Sequence, residues 1–276
     1  MKHLLRLSDF DKLEVYEIFR IADELQCGGY SDFLKGRTIV MFFPESSIRT
    51  RVTFERGIYL LGGQTILFPP ASLDKKEKLQ DVAGYLNNWI DCAVVRHKDI
   101  SVLEEMAKYT EFPMVNAMTD INHPCEMLAD MYALSKIREG FTKDKFLFVG
   151  ADGNIGKAWR EAAALMGFSI TQSCPPEYAM EGVEYVENLE QAVIGKDIIC
   201  TDSLSAEKLQ AFGKHQVTLD IMKKANENAV LNPCPPFYRG EEVSADVIDS
   251  KYFVGYSFKK YLLEIQQAVL IYCLTK

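Results

Sequence analysis

From residue 38 onward, short apolar runs alternate with longer segments of helical periodicity, and that alternation admits few folds. Thr38-Ile39-Val40-Met41-Phe42-Phe43 is apolar at every position after the first, as a strand covered on both faces must be. Helical spacing follows over Arg49–Leu61, stopped by Gly62-Gly63. Thr65–Phe68 is a short strand closed by Pro69-Pro70, Leu79–Asn88 is helical, Cys92–Val95 is a buried strand, Ile100–Tyr109 is helical and Met114–Asn116 is a strand. A leading helix at Leu13–Leu25 ends at Cys27-Gly28-Gly29. A long helix over 124–138 ends at Gly140, and the pattern restarts with strand Lys145–Val149, helix Lys157–Met166 and strand Ser169–Gln172. Further strands are predicted near Ile198–Thr201, Val217–Asp220 and Ala229–Leu231, and a last helix at Tyr261–Leu274. Alternation in both halves predicts two α/β domains, each with a central parallel sheet flanked by helices, bridged by the helix at 124–138.

Composition narrows the partners. A net charge of −8 over 276 residues argues against nonspecific binding to nucleic acid or an anionic membrane surface, yet allows a local basic pocket. No apolar stretch is long enough to span a bilayer. The N-terminus turns acidic at Asp9, too early for a secretion signal. The cysteines are odd in number, seven in all, widely spaced and without a CxxC pair, which predicts a reduced, cytoplasmic protein with no structural zinc.

The segment Ser46-Ser47-Ile48-Arg49-Thr50-Arg51 directly follows the first strand. The first-turn N–H groups of a helix lack internal partners and carry the positive end of the macrodipole. Ser47 and Thr50 add hydroxyls and Arg49 a guanidinium, together a socket for phosphate or another doubly charged oxyanion; the alternative is an N-cap on a solvated helix. Arg96 follows another buried strand, where it can meet the same anion or form a surface salt bridge. His123-Pro124 stands at the start of the bridging helix, where a neutral imidazole can donate to a carbonyl oxygen or simply cap the helix. No other histidine sits at metal spacing, so no metal is expected.

Gly150-Ala151-Asp152-Gly153-Asn154-Ile155-Gly156 follows a strand, but its spacing is Gly-x-x-Gly-x-x-Gly, and Thr171-Gln172-Ser173 stands where an acidic ribose partner would be needed. The segment predicts a ligand crevice rather than dinucleotide binding. Cys234, in Asn232-Pro233-Cys234-Pro235-Pro236, is a rigidly held loop cysteine with no adjacent base, or a small buried apolar residue.

Taken in order along nearly the whole chain, these segments resemble the aspartate/ornithine carbamoyltransferases, the ornithine branch in particular. Ser47-Ile48-Arg49-Thr50-Arg51 is similar to the family's Ser-Thr-Arg-Thr-Arg phosphate loop, and Phe54-Glu55 and Leu61-Gly62-Gly63 follow as they do there. Asn122-His123-Pro124-Cys125-Glu126-Met127-Leu128-Ala129-Asp130 is similar to His-Pro-x-Gln-x-Leu-x-Asp. Thr201-Asp202, and Cys234 with Arg239-Gly240-Glu241-Glu242-Val243, complete the series.

The resemblance implies a carbamoyl-phosphate-binding domain at 1–130, a second-substrate domain at 131–255, and a C-terminal helix at 256–276 packing back on the first, with two interdomain helices. It implies transfer of a carbamoyl group from carbamoyl phosphate to an amine, most simply ornithine giving citrulline, with no cofactor. It places Ser47, Ile48, Arg49, Thr50, Arg96, His123 and Glu126 on carbamoyl phosphate. Arg49, Arg96, His123 and Cys234 carry the catalytic roles, and Asn154, Asp202, Ser205 and Cys234 the amino acid. Lys75 and Lys76 would reach a neighbouring subunit's site in a homotrimer.

Several positions depart from the family pattern. Ile48 replaces a threonine, Glu126 a glutamine and Pro233 a histidine, while Ser203-Leu204-Ser205 replaces Ser-Met-Gly. The C-terminal Glu-Asn-Arg reads Lys260-Tyr261-Leu262, leaving Lys259 or Lys260 as nearby cations. An ionised Glu126 beside a dianion is unfavourable unless protonated or paired. The alternatives are therefore a diverged enzyme using another amine or acyl phosphate, and a non-catalytic paralogue that binds a phosphorylated ligand or a partner subunit.

Overall fold

The apolar run after Arg37 becomes an inner strand of a parallel sheet. A computed structural model describes residues 1–276, which form two units, Met1–Leu134 with Lys259–Lys276, and Ser135–Phe258.

In the first unit the elements are α1 (Lys12–Gln26), β1 (Thr38–Phe42), α2 (Ile48–Leu60), β2 (Gln64–Phe68), α3 (Leu79–Leu86), β3 (Cys92–Arg96), α4 (Ile100–Ala107), β4 (Met114–Met118) and α5 (Pro124–Ile137). The strands lie in the order β2-β1-β3-β4, all parallel, with Val40 opposite Ile66 and Ala93. One face buries Val40, Phe42, Val95, Leu103 and Met106 together. The chain leaves β1 towards β2 on one side and returns to β3 on the other, so the ends of β1 and β3 border a topological switch point, where open α/β sheets bind ligands. A register shift between Val95 and Arg96 turns the arginine at that edge.

The second unit contains β5 (Lys145–Val149), α6 (Asn154–Met166), β6 (Ser169–Ser173), β7 (Glu184–Tyr185), α7 (Leu189–Ala192), β8 (Ile198–Thr201), α8 (Ala206–Leu209), α9 (Leu219–Met222), β9 (Val230–Pro233) and α10 (Ala245–Ile248). Its parallel sheet runs β7-β6-β5-β8-β9, with the switch point between β5 and β8. Leu147, Val149, Ile199 and Leu231 pack on Val217, Met222, Val243 and Val247. Around Phe146, the rings of Phe168 and Trp159 lie with centroids 4.1 and 5.5 Å away.

The strand expected at Val217–Asp220 is replaced by a single bridge from Val217 to Val243 and the start of α9. Thr218 caps that helix by accepting from the Ile221 N–H at 3.2 Å, so a threonine that reads as β-forming serves as an N-cap. The last helix, α11 (Leu262–Thr275), returns to the first unit and packs on α1 and α2. No helix is long and apolar enough to cross a membrane.

The glycines at 150 and 156 have a packing reason. A Cβ at Gly150 would lie 2.7 Å from the Phe148 ring, and one at Gly156 would lie 2.8 Å from it. Gln172 fills the neighbouring space, its amide donating to the carbonyls of Gly150 at 2.9 Å and Tyr178 at 3.0 Å. The turn is shaped by an aromatic ring and a buried amide.

Candidate active site

Ser47 opens α2 without capping it: its side chain makes no cap hydrogen bond. Its hydroxyl instead accepts from the Arg96 guanidinium at 2.9 Å, across the gap between the ends of β1 and β3. The first-turn N–H groups of Arg49 and Thr50 therefore stay open towards the same edge. Ser47 and Thr50 are buried, while Ile48 and Arg49 are exposed. Arg96 is half-buried and forms no ion pair with a carboxylate; burial alone lowers its pKa. A cation desolvated without an acid beside it is a site prepared for an anion from outside the chain. The loop at 72–78 carries Lys75 and Lys76 into solvent.

His123 stands before the first residue of α5. A buried amide network fixes the turn that presents it: Asn122 Oδ1 accepts from Asn116 Nδ2 at 2.7 Å and from Thr119 Oγ1 at 2.8 Å. His123 is 6% exposed, and its Nδ1 has no hydrogen-bond partner. Burial lowers its pKa to about 4, with Arg96 and Lys259 adding to the fall and Glu126 opposing it. The ring is neutral at physiological pH.

Glu126, in the first turn of α5, is buried too. Burial, the largest single influence, would raise its pKa, but Lys259, His123 and Arg49 together outweigh it, and the carboxyl lies below its ordinary value. Lys259 Nζ lies 3.0 Å from Glu126 Oε1 and 2.5 Å from Asp130 Oδ1, one helical turn along the same face. Ser47, Arg49, Arg96, His123 and Glu126 are thus joined by one hydrogen bond and by mutual electrostatics at one end of the first sheet.

In the second unit the named residues gather at the corresponding strand ends. Asn154 is the first residue of α6, Asp202 follows β8, Ser205 precedes α8, and Cys234 follows β9. The Cys234 N–H donates to the Thr201 carbonyl at 3.0 Å, which ties the cysteine loop to the residue before Asp202. A Cβ at Gly153 would lie 3.8 Å from Asp202 Oδ2, so the carboxylate sits at the mouth of α6. Burial, with Glu242 second among the influences that raise it, pushes Asp202 up to about 7, while the Ser203 N–H and Lys208 pull the other way. Ser205 is exposed, at the rim.

Known proteins share this fold. Residues 2–136 match the family model for the aspartate/ornithine carbamoyltransferase carbamoyl-P binding domain, and residues 142–273 match that for the Asp/Orn binding domain. The chain belongs to the aspartate/ornithine carbamoyltransferase family. It is 33% identical to an ornithine carbamoyltransferase of Hydrogenovibrio crunogenus, over all of this chain and 99% of that protein. The solved ornithine carbamoyltransferase of Burkholderia thailandensis superimposes with a TM-score of 0.92 at 27% identity, covering 99% of each chain. That of Pyrococcus furiosus gives 0.92 at 28% identity, covering 99% of this chain and 97% of that one.

This carbamoyltransferase carries one feature that sequence reasoning left open. Glu126 and the missing C-terminal arginine are separate departures along the chain, yet the structure joins Glu126 to Lys259. The available signal was the pair itself: an acid gained and a guanidinium lost, with a lysine close to the lost position. The partnership of Gln172 with Gly150 left no signal of its own.

Proposed function

We propose that this enzyme transfers the carbamoyl group of carbamoyl phosphate to the side-chain amine of an amino acid, ornithine in the simplest case, giving citrulline and phosphate. The observation that carries this reading is the half-buried Arg96, without an acid partner, hydrogen-bonded to Ser47 beside an uncapped helix N-terminus. Ser47, Arg96 and the N–H groups at Arg49 and Thr50 hold the phosphate; the Ile48 N–H donates to the Ser46 carbonyl at 2.9 Å and would have to leave it to join them. Arg49, Thr50 and neutral His123 face the carbonyl oxygen, whose charge grows as the reaction proceeds. The lone pair of the neutral amine attacks the carbonyl carbon. A C–N bond forms, the C–O bond to phosphorus breaks with its electron pair going to phosphate, and the amine proton leaves with that phosphate. Asn154, Asp202, Ser205 and Cys234 hold the amino acid, with Asp202 on its cationic α-amine. The changed loop Ser203-Leu204-Ser205 favours a second reading, a different amine.

Calorimetry with carbamoyl phosphate tests the first half. Binding by the native protein, weakened at least about thirtyfold in Arg49→Ala, is expected from loss of a charge-assisted contact. Absence of binding by the native protein overturns the proposal. Phosphate release in the presence of ornithine, lysine and short diamines then identifies the amine.

We further infer a homotrimer in which Lys75 and Lys76 reach a neighbour's site. The first unit exposes Ile48, Val52, Tyr59, Ile66, Phe68, Tyr85 and Trp89, more apolar surface than scattered exposure accounts for. A cavity of about 360 Å³ beside Arg96 carries Asp74 and Asp120, acids that suit an incoming lysine. Light scattering should give three times the 31.3 kDa chain mass. A monomer that turns over at full rate would remove both lysines from the site.

A further inference from the structure

The ion pair at the start of α5 does more than repair a lost arginine. Glu126 Oε1 accepts from Lys259 Nζ at 3.0 Å. Asp130 holds the same ammonium from one turn further on, so Lys259 is clamped between two carboxylates of one helix face. The clamp holds the Glu126 carboxylate in place, with His123 and Arg49 close enough to act on its charge.

A carboxylate held ionised differs from an amide in one chemical respect. An amide can turn over and present either an oxygen or an NH2, whereas an ionised carboxylate only accepts. A ligand group facing the carboxylate must therefore bring an N–H or O–H. An acyl phosphate ending in a methyl group would leave that buried charge facing carbon, at the cost of an unsatisfied ion.

We propose that Lys259 is a positioning residue that holds Glu126 as an obligate acceptor, and that this pair makes the site select an acyl phosphate bearing an amide NH2 over one bearing an alkyl group. The inference rests on the carbamoyl phosphate reading above and adds the residue that enforces it. Lys259 acts through Glu126, and the phosphate socket at Ser47 and Arg96 acts independently of both. Losing the lysine should thus spare recognition of phosphate itself and damage recognition of the carbamoyl end.

The test compares three ligands, carbamoyl phosphate, acetyl phosphate and inorganic phosphate, by calorimetry on the intact protein and its variants. Lys259→Met should weaken carbamoyl phosphate about ten- to a hundredfold and inorganic phosphate less than about threefold, the difference expected for one charge-assisted hydrogen bond. Preference for carbamoyl over acetyl phosphate should fall by a similar factor. Lys259→Arg, which keeps a cation for both carboxylates, should recover most of it. Glu126→Gln in the Lys259→Met background should also recover part of the affinity, because a neutral amide needs no cation.

Equal weakening of all three ligands in Lys259→Met, or an unchanged carbamoyl-to-acetyl preference, would overturn the inference and leave the proposed function standing. Failure of the native protein to bind carbamoyl phosphate would instead remove the reading on which the inference rests, and the inference with it. Should Lys259→Met fail to fold, Glu126→Gln alone still reports the preference ratio, which should fall because an amide can present its NH2, and an unchanged ratio there is an equally adverse result.

Discussion

Arg96→Met is expected to lower kcat/KM for carbamoyl phosphate by about a thousandfold, the upper range for removing one charged donor from a transition state. The melting temperature should stay level or rise. The two halves of this expectation have one cause. The guanidinium is half-buried, bonded to Ser47 and unpaired with any acid, and burial lowers its pKa from the ordinary arginine value. It remains a cation, so in the ligand-free protein it is desolvated with little return. Methionine fills similar space without that cost. With phosphate bound, the same guanidinium faces a dianion whose charge increases as the C–O bond breaks, and its loss is felt in full. Phosphate-release kinetics and thermal denaturation on one preparation check both halves. A loss of activity below about fivefold would remove Arg96 from the anion site. A parallel loss of stability would make it a structural residue. Ser47→Ala, which removes a neutral hydroxyl, should cost about tenfold.

Much of the scaffold beneath that arginine was legible in the sequence, for a physical reason. Strands of a doubly covered parallel sheet must be apolar throughout, and Thr38–Phe43, Cys92–Val95 and Lys145–Val149 say so directly. Glycine stops after helices are equally local: Gly62 and Gly167 both adopt left-handed φ, at 82° and 80°. Legibility fails where a side chain answers to something distant in sequence. Thr218 looked like part of a strand, because capping geometry depends on the next three residues turning. Gly150 and Gly156 read as a ligand crevice rather than a dinucleotide loop, but nothing in the sequence tells that Phe148 lies under both. The Glu126–Lys259 pair spans 133 residues and closes only when the C-terminal segment returns to the first unit. The residues proposed for carbamoyl phosphate were nameable from motifs, but whether Glu126 is a liability there depends on a contact that only the fold supplies. The structure answers that question with a carboxylate paired to Lys259, one of the two outcomes, protonated or paired, that the sequence left open.

Asp202→Asn should lower kcat/KM for the amine substrate by about a hundred- to a thousandfold and remove a pH dependence centred near 7, as expected when one partner of a desolvated ion pair is deleted. The Asp202 carboxyl is pushed up to about 7, chiefly by burial, with Glu242 adding to it. Below that pH the group is protonated and neutral, and cannot pair with an α-ammonium. Above it the group is ionised and binds the cation. Affinity for the amine in the native enzyme should therefore rise with pH, up to about tenfold per unit below 7, and level off above. The limb belongs to the free enzyme, so it should appear in kcat/KM for the amine and be absent from kcat, because a bound ammonium draws the carboxyl pKa back down. His123, already neutral with a pKa of about 4, contributes no limb in this range. A second rise at higher pH should follow deprotonation of the attacking amine, near 10 for an ornithine-like group. Glu242→Gln separates the two acids: it removes an influence that raises Asp202, so the lower limb should move to lower pH without disappearing. Profiles of kcat/KM against pH for the native enzyme and both variants decide the matter. A limb near 7 that survives in Asp202→Asn would assign it to another group and leave the amine's cationic end without its proposed partner.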